Sequence, residues 1–173
     1  MTARPEILPT ALAVHLRHRF EAPRGRVFQA WTDPQVLRRW WCPPGWSPAK
    51  VEIDLRVGGD YRIGMRNHAG DLPVYVHGHF IEVLCPQRLV YTWRWQNAFE
   101  GMPETRVTVL FTDAPRGGTD VVLMHERLPA VPVCLRHWNG WKAAWPRIDA
   151  AVRDDLLVSS EAATAKGRNR WGQ

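Results

Sequence analysis

The sequence predicts an α+β domain in which one long helix covers the inner face of a curled antiparallel sheet. Segments that alternate apolar and polar residues recur from residue 50 to residue 128, separated by Gly-, Pro- and Asp-rich turns. This is the signature of short, half-buried strands. Leu135, Trp138, Trp141, Trp145, Ile148 and Val152 then repeat at steps of three and four, the period of a helix with a wide apolar stripe. An antiparallel sheet with one apolar face needs a cover, and it twists. A straight helix laid on a curled sheet leaves a gap that large side chains must fill or line.

The elements follow in order. Residues 1–12 read as a flexible leader. "AVHLRHRF" (13–20) is a strand with Val14, Leu16, His18 and Phe20 on one face. Ala22-Pro23 breaks it, and "RGRVFQAW" places Val27, Phe28 and Trp31 at helical spacing. Asp33-Pro34 ends that helix and starts a second, "QVLRRWW". "CPPGW" forces a turn. "KVEIDLRVGG" and "DYRIGMR" form a hairpin through Gly58-Gly59, and "VYVHGHFIEVL" (74–84) and "RLVYTWRW" (88–95) follow as strands. "ETRVTVLFT" and "TDVVLMHERL" flank the turn "DAPRGG". The total is six or seven strands. The long helix is expected over 131–157, with a kink or break at Pro146, where a missing amide costs about 3 kcal/mol in an ideal helix. From residue 159 the small and charged residues suggest a disordered basic tail, so a single domain spans 13–158.

Length and composition narrow the function classes. At 173 residues the chain suits one domain. Net charge is +6, yet no basic stripe or nucleic-acid module is visible, so no nucleic acid partner is expected. No apolar run approaches the roughly 20 residues of a membrane helix, and no signal peptide is visible. Cys42, Cys85 and Cys134 are widely spaced without a CxxC pattern, as in a reduced, cytoplasmic chain.

Several stretches in order resemble the family related to the activator of the Hsp90 ATPase, within the START-like, polyketide-cyclase-like superfamily. They are "FEAPRGRVFQAWTDPQVLRRWW", "VGGDYRIGM", "HGHFIEVLCPQRLVYTW", "VTVLF", "GGTDVVLMHE" and "HWNGWKAAWPRI", together covering residues 15–150. The resemblance implies a helix-grip (START/Bet v 1-like) fold, with a deep apolar cavity between sheet and helix and two small helices closing one end. Relatives in the superfamily bind hydrophobic molecules, and some catalyse cyclisation or hydrolysis. The namesake's additional domain has no counterpart here, so its chaperone role is not carried over. Trp145 stands where the family more often has leucine, and Pro146 also departs from its pattern.

The expected activity is therefore binding of a small hydrophobic or aromatic molecule. A cyclase- or hydrolase-type enzyme and a chaperone-related or other protein-interaction role are the alternatives; a homodimer through an open sheet edge belongs with the last. Trp93, Tyr91, Trp138, Trp141 and Trp145 are the expected lining, with Phe80 and Met65 beside them and Trp40 and Trp41 at the mouth. Gly140, costly within a helix by about 1 kcal/mol against alanine, suggests close backbone approach or room for a ligand. If there is an acid or base, it is expected among His137, Tyr61, His79 and Glu126. His77 and His79 face the same way and would need a third ligand, His125 or Glu126, to hold a metal; no metal and no cofactor are expected. Cys134 lies at i,i+3 to His137, the spacing at which an imidazole can activate a thiol. Arg94 should face solvent if Tyr91, Trp93 and Trp95 face inward.

Overall fold

The computed structural model describes residues 12–70 and 72–168, with 155–168 as backbone only. Chain order is β1 (Leu12–Phe20), α1 (Arg24–Thr32), α2 (Pro34–Trp40), β2 (Trp46–Ile53), β3 (Asp60–Asn67), β4 (Val74–Leu84), β5 (Arg88–Gln96), β6 (Thr105–Asp113), β7 (Thr119–Leu128) and α3 (Val131–Arg168). The strands form one seven-stranded sheet, ordered β1-β7-β6-β5-β4-β3-β2. Every neighbouring pair is antiparallel. This is the helix-grip arrangement: the sheet curves around α3, and α1 and α2 join its two edge strands.

Curvature has local causes. Register shifts break the ladders at Leu12/Val14, Pro48/Val51 and Phe80/Glu82, and a bulge bends the strand that carries it and increases local twist. At Gly78 an added Cβ would lie 2.2 Å from the Thr92 carbonyl oxygen. Only glycine lets β4 approach β5 that closely.

The inner face follows the alternation. Leu89, Tyr91 and Trp93 of β5, Val107, Val109 and Phe111 of β6, and Val121 and Leu123 of β7 are buried, as are Trp141, Ala144, Trp145, Ile148 and Val152 of α3. Arg94 faces outward and pairs with Glu104 at 2.9 Å, as the inward aromatics require. The Asp33-Pro34 corner works as expected: the Asp33 carboxylate caps α2 by accepting from the Gln35 amide at 2.8 Å.

Two expectations about α3 change. Of the kink or break expected at Pro146, the break is absent and the helix runs through the proline. Arg147 donates from Nη1 to the Ala143 carbonyl at 2.7 Å and from Nε to the Trp40 carbonyl at 2.9 Å. Its guanidinium thus lies along the turn that contains Pro146 and ties α3 to the end of α2. The helix also passes its expected end at residue 157 and runs to Arg168. Glu161, Ala162, Ala163, Ala165 and Lys166 are good helix formers, and a helix already nucleated propagates cheaply. Of the expected leader, residue 12 belongs to β1, and 1–11 lie outside the described residues; so do 169–173 of the tail.

Candidate functional site

The stretch "HWNGWKAAW", His137 to Trp145, puts its three tryptophans to three uses. Trp145 is buried, stacked on His18 with ring centroids 5.1 Å apart, with the Phe20 ring edge-on and the Trp31 ring tilted at centroid distances of 5.9 and 6.2 Å. His18 also meets Asp149 at 2.8 Å, so β1 grips α3 around this indole. Trp138 lies seven residues earlier, on nearly the same helix face, but remains 37% exposed; the Lys142 ammonium sits over its ring, 4.5 Å from the centroid. Periodicity assigns Trp138 and Trp145 one role, and the sheet supplies a partner to Trp145 alone. Neither lines the cavity expected of them.

Trp141 does. It is 5% exposed and forms part of the wall of a cavity of about 320 Å³. Trp40 of α2, Trp41 just after it and Trp46 stand on one side, Met65, Val74, Trp93 and Trp95 of the sheet on another, and Phe99 of the β5–β6 loop beside them. Along α3 the wall is Arg136, His137, Gly140, Ala143, Ala144 and Arg147. An added Cβ at Gly140 would meet nothing within 4 Å. Its small size leaves the wall recessed and serves no close backbone approach. The cavity volume lies at the low end of the range of about 300–1,000 Å³ typical of small-molecule sites.

Tyr91 and Phe80 sit elsewhere. With Tyr61 they line a separate recess of about 20 Å³ under Trp31, Leu37 and Trp41, about the space of one water molecule. Here α1 and α2 close the gap between sheet and helix, so the open space is displaced towards the start of α3. The Tyr61 hydroxyl donates to the Thr92 carbonyl at 2.6 Å, and burial raises its pKa well above the ordinary value.

The polar groups behind the cavity form a determined network. The His137 Nδ1 lies 2.9 Å from the Val133 carbonyl. A carbonyl only accepts, so Nδ1 carries the proton. Nε2 is then bare and accepts from the Trp95 indole at 3.3 Å. Directly behind, His125 is fully buried, with its ring centroid 4.6 Å from that of His137. Its Nδ1 accepts from the Trp141 indole at 3.3 Å, so its Nε2 donates to Thr105 Oγ1 at 2.8 Å. The Thr105 hydroxyl in turn donates to the Trp93 carbonyl at 3.2 Å. Burial lowers both imidazole pKa values, His125 well below the usual range with His137 adding to the effect. Both rings are neutral, each in one tautomer.

The remaining acid–base candidates are remote. His79 is exposed, with Nδ1 3.3 Å from Thr92 Oγ1, and Glu126 pairs with Arg106 at 3.0 Å. Both belong to the outer face of the sheet, across its thickness from the cavity. Among the described residues no three His, Cys, Asp or Glu side chains are grouped to hold a metal. Burial pushes the Cys42 thiol up to about 11 and raises Cys134 as well, so neither is a thiolate at neutral pH.

Phe99, Arg136 and Arg147 were not foreseen in this wall. The arginines had a signal: Arg136, Gly140, Ala143, Ala144 and Arg147 follow a helical period, a stripe of small residues between two cations. Phe99 lies in a loop and had none.

The sequence model of the family described as Activator of Hsp90 ATPase homolog 1-like protein matches residues 21–153. Among solved structures, protein CV1439 from Chromobacterium violaceum is 27% identical with a TM-score of 0.72, covering 81% of this chain and 96% of that one. The AHSA1 protein from Silicibacter pomeroyi is 24% identical with a TM-score of 0.72, covering 83% and 99%. The AHSA1-like protein from Aeromonas hydrophila is 24% identical with a TM-score of 0.69, covering 84% and 95%. No curated protein matches the chain.

Proposed function

The chain belongs to the Activator of Hsp90 ATPase homolog 1-like family, and on that footing we propose that it binds a small hydrophobic or aromatic molecule inside the cavity beside Trp141. The cavity suits such a molecule in size and lining. One observation carries the reading: six indoles, Trp40, Trp41, Trp46, Trp93, Trp95 and Trp141, make up much of the wall; the N–H groups of Trp40, Trp95 and Trp141 are engaged by Ala30, His137 and His125, while that of Trp93 is buried without a partner among the described residues. The open faces offer apolar contact area, with few polar groups to set orientation.

The same network argues against the enzyme alternative. A cyclase or hydrolase needs a free acid or base within reach of its substrate. His137 is the candidate that lines the cavity, and both of its ring nitrogens already have partners. Cytoplasmic placement stays part of the proposal, supported by three unpaired cysteines; no helix among the described residues is long and apolar enough to cross a membrane.

The test is native mass spectrometry of the purified protein with extraction of anything bound, followed by titration with flavonoids, fatty acids and polyketides read by tryptophan emission. A saturable change with at least one aromatic class is expected. A silent panel, together with a crystal structure whose cavity is filled by side chains, overturns the proposal.

A further inference from the structure

We propose that the molecule held in the cavity is an aromatic acid, its ring system against the indoles and its anionic group on Arg136 at the mouth. This rests on the cavity being a binding site, as proposed above. The charged side chains in the wall are Arg136 and Arg147, and no carboxylate is among the described residues that line it. An apolar cavity with cations and no anion is complementary to a ligand that brings the negative charge itself.

The two arginines differ in availability. Arg147 is engaged at Nε and Nη1 by backbone carbonyls. Arg136 makes no hydrogen bond or ion pair with the described residues. Its guanidinium carbon lies 4.4 Å from the centroid of the Phe99 ring, above its face. This contact engages no N–H group in a hydrogen bond, so the guanidinium keeps the N–H pairs that grip a carboxylate with two parallel bonds. The side chain is therefore held in place with its recognition edge unused.

The loop behind it bears a cost that fits the same role. Phe99 and Asn97 have φ values of 51° and 64°, a left-handed conformation that non-glycine residues adopt at an energetic cost. That backbone holds Phe99 between Arg136 and Trp95, whose ring centroid is 5.0 Å away. Along α3, Arg136 precedes the recess at Gly140 by about one turn, roughly 5.4 Å. This is about the reach of an acid substituent from the middle of a naphthalene-sized ring lying over Gly140.

The experiment titrates the full chain with two fluorophores that share an N-phenylnaphthylamine ring system. One carries a sulfonate, 8-anilinonaphthalene-1-sulfonate; the other, N-phenyl-1-naphthylamine, is uncharged. The wild type should prefer the anionic probe by about tenfold at low salt, and the preference should shrink as salt screens it. Arg136→Gln, at an exposed position, should abolish the preference while leaving the uncharged probe's affinity within about twofold, and Arg136→Lys should restore part of it. Gly140→Leu should weaken both probes, which locates them in the cavity. Equal affinities in the wild type, or a preference that survives Arg136→Gln, overturns the acid proposal and leaves the binding function standing. If neither probe binds, both fall.

Discussion

The Trp95 indole donates to Nε2 of His137 at 3.3 Å, and this contact fixes the imidazole as a neutral acceptor. Protonating Nε2 would set two donors against each other. The same holds one layer deeper for Trp141 and His125. The cavity wall thus depends on both imidazoles staying neutral.

Acid should therefore loosen the protein. Burial lowers the folded-state pKa of His125 and, less strongly, of His137, while the unfolded chain titrates near 6.5. Between those values the unfolded state binds more protons, so stability is complete above about pH 6.5 and falls as pH drops towards the folded-state values. At His137 the hydrogen bond to the Val133 carbonyl opposes the burial effect and the neighbouring Arg136 reinforces it, and the net shift is downward. Urea unfolding from pH 8 to pH 5 should show a falling midpoint with unchanged slope, with tryptophan emission shifting in parallel. A midpoint that is flat or rises below pH 6.5 contradicts the assigned tautomers.

Two identical substitutions within one nonapeptide should differ. Trp141→Phe removes the donor to a fully buried His125 nitrogen, leaving an unsatisfied acceptor at a cost of about 2 kcal/mol. Trp138→Phe alters an exposed ring and should stay within about 0.5 kcal/mol. Denaturant unfolding of the two variants decides it, and equal losses would contradict the roles assigned here.

Pro146→Ala should stabilise the protein by about 1–2 kcal/mol. It restores an amide donor within α3 at an exposed position, less a smaller term from the freer unfolded chain. A loss of stability in thermal or urea unfolding would mean that the proline sets the path of α3 in a way that Arg147 alone does not.

The order of elements was legible because strand alternation and the helical stripe are local patterns, and because turns at Asp33-Pro34 and Gly58-Gly59 punctuate them. The cavity was legible only in part. Trp93, Trp141 and Met65 line it, as do Trp40 and Trp41, expected at its mouth, and His137, expected as an acid or base; Tyr91, Phe80, Trp138 and Trp145 do not. Periodicity gives the face of a helix but not what stands opposite each turn. His18 and Phe20 cover Trp145, and α1 and α2 cover Tyr91; both are contacts between segments far apart in sequence. The end of α3 was misjudged for a related reason: the stripe stops near Val152, whereas helix propensity continues beyond it.

Gly140 tests the central claim most directly, because the account holds that its missing side chain is part of the cavity. Calorimetric titration of the wild type and Gly140→Leu with N-phenyl-1-naphthylamine, alongside thermal unfolding of both, separates ligand space from fold. The account predicts saturable binding by the wild type, at least about tenfold weaker binding by the variant, and a Tm equal to or above that of the wild type, since leucine is the better helix former. Equal affinity in the two proteins, at equal stability, would contradict it.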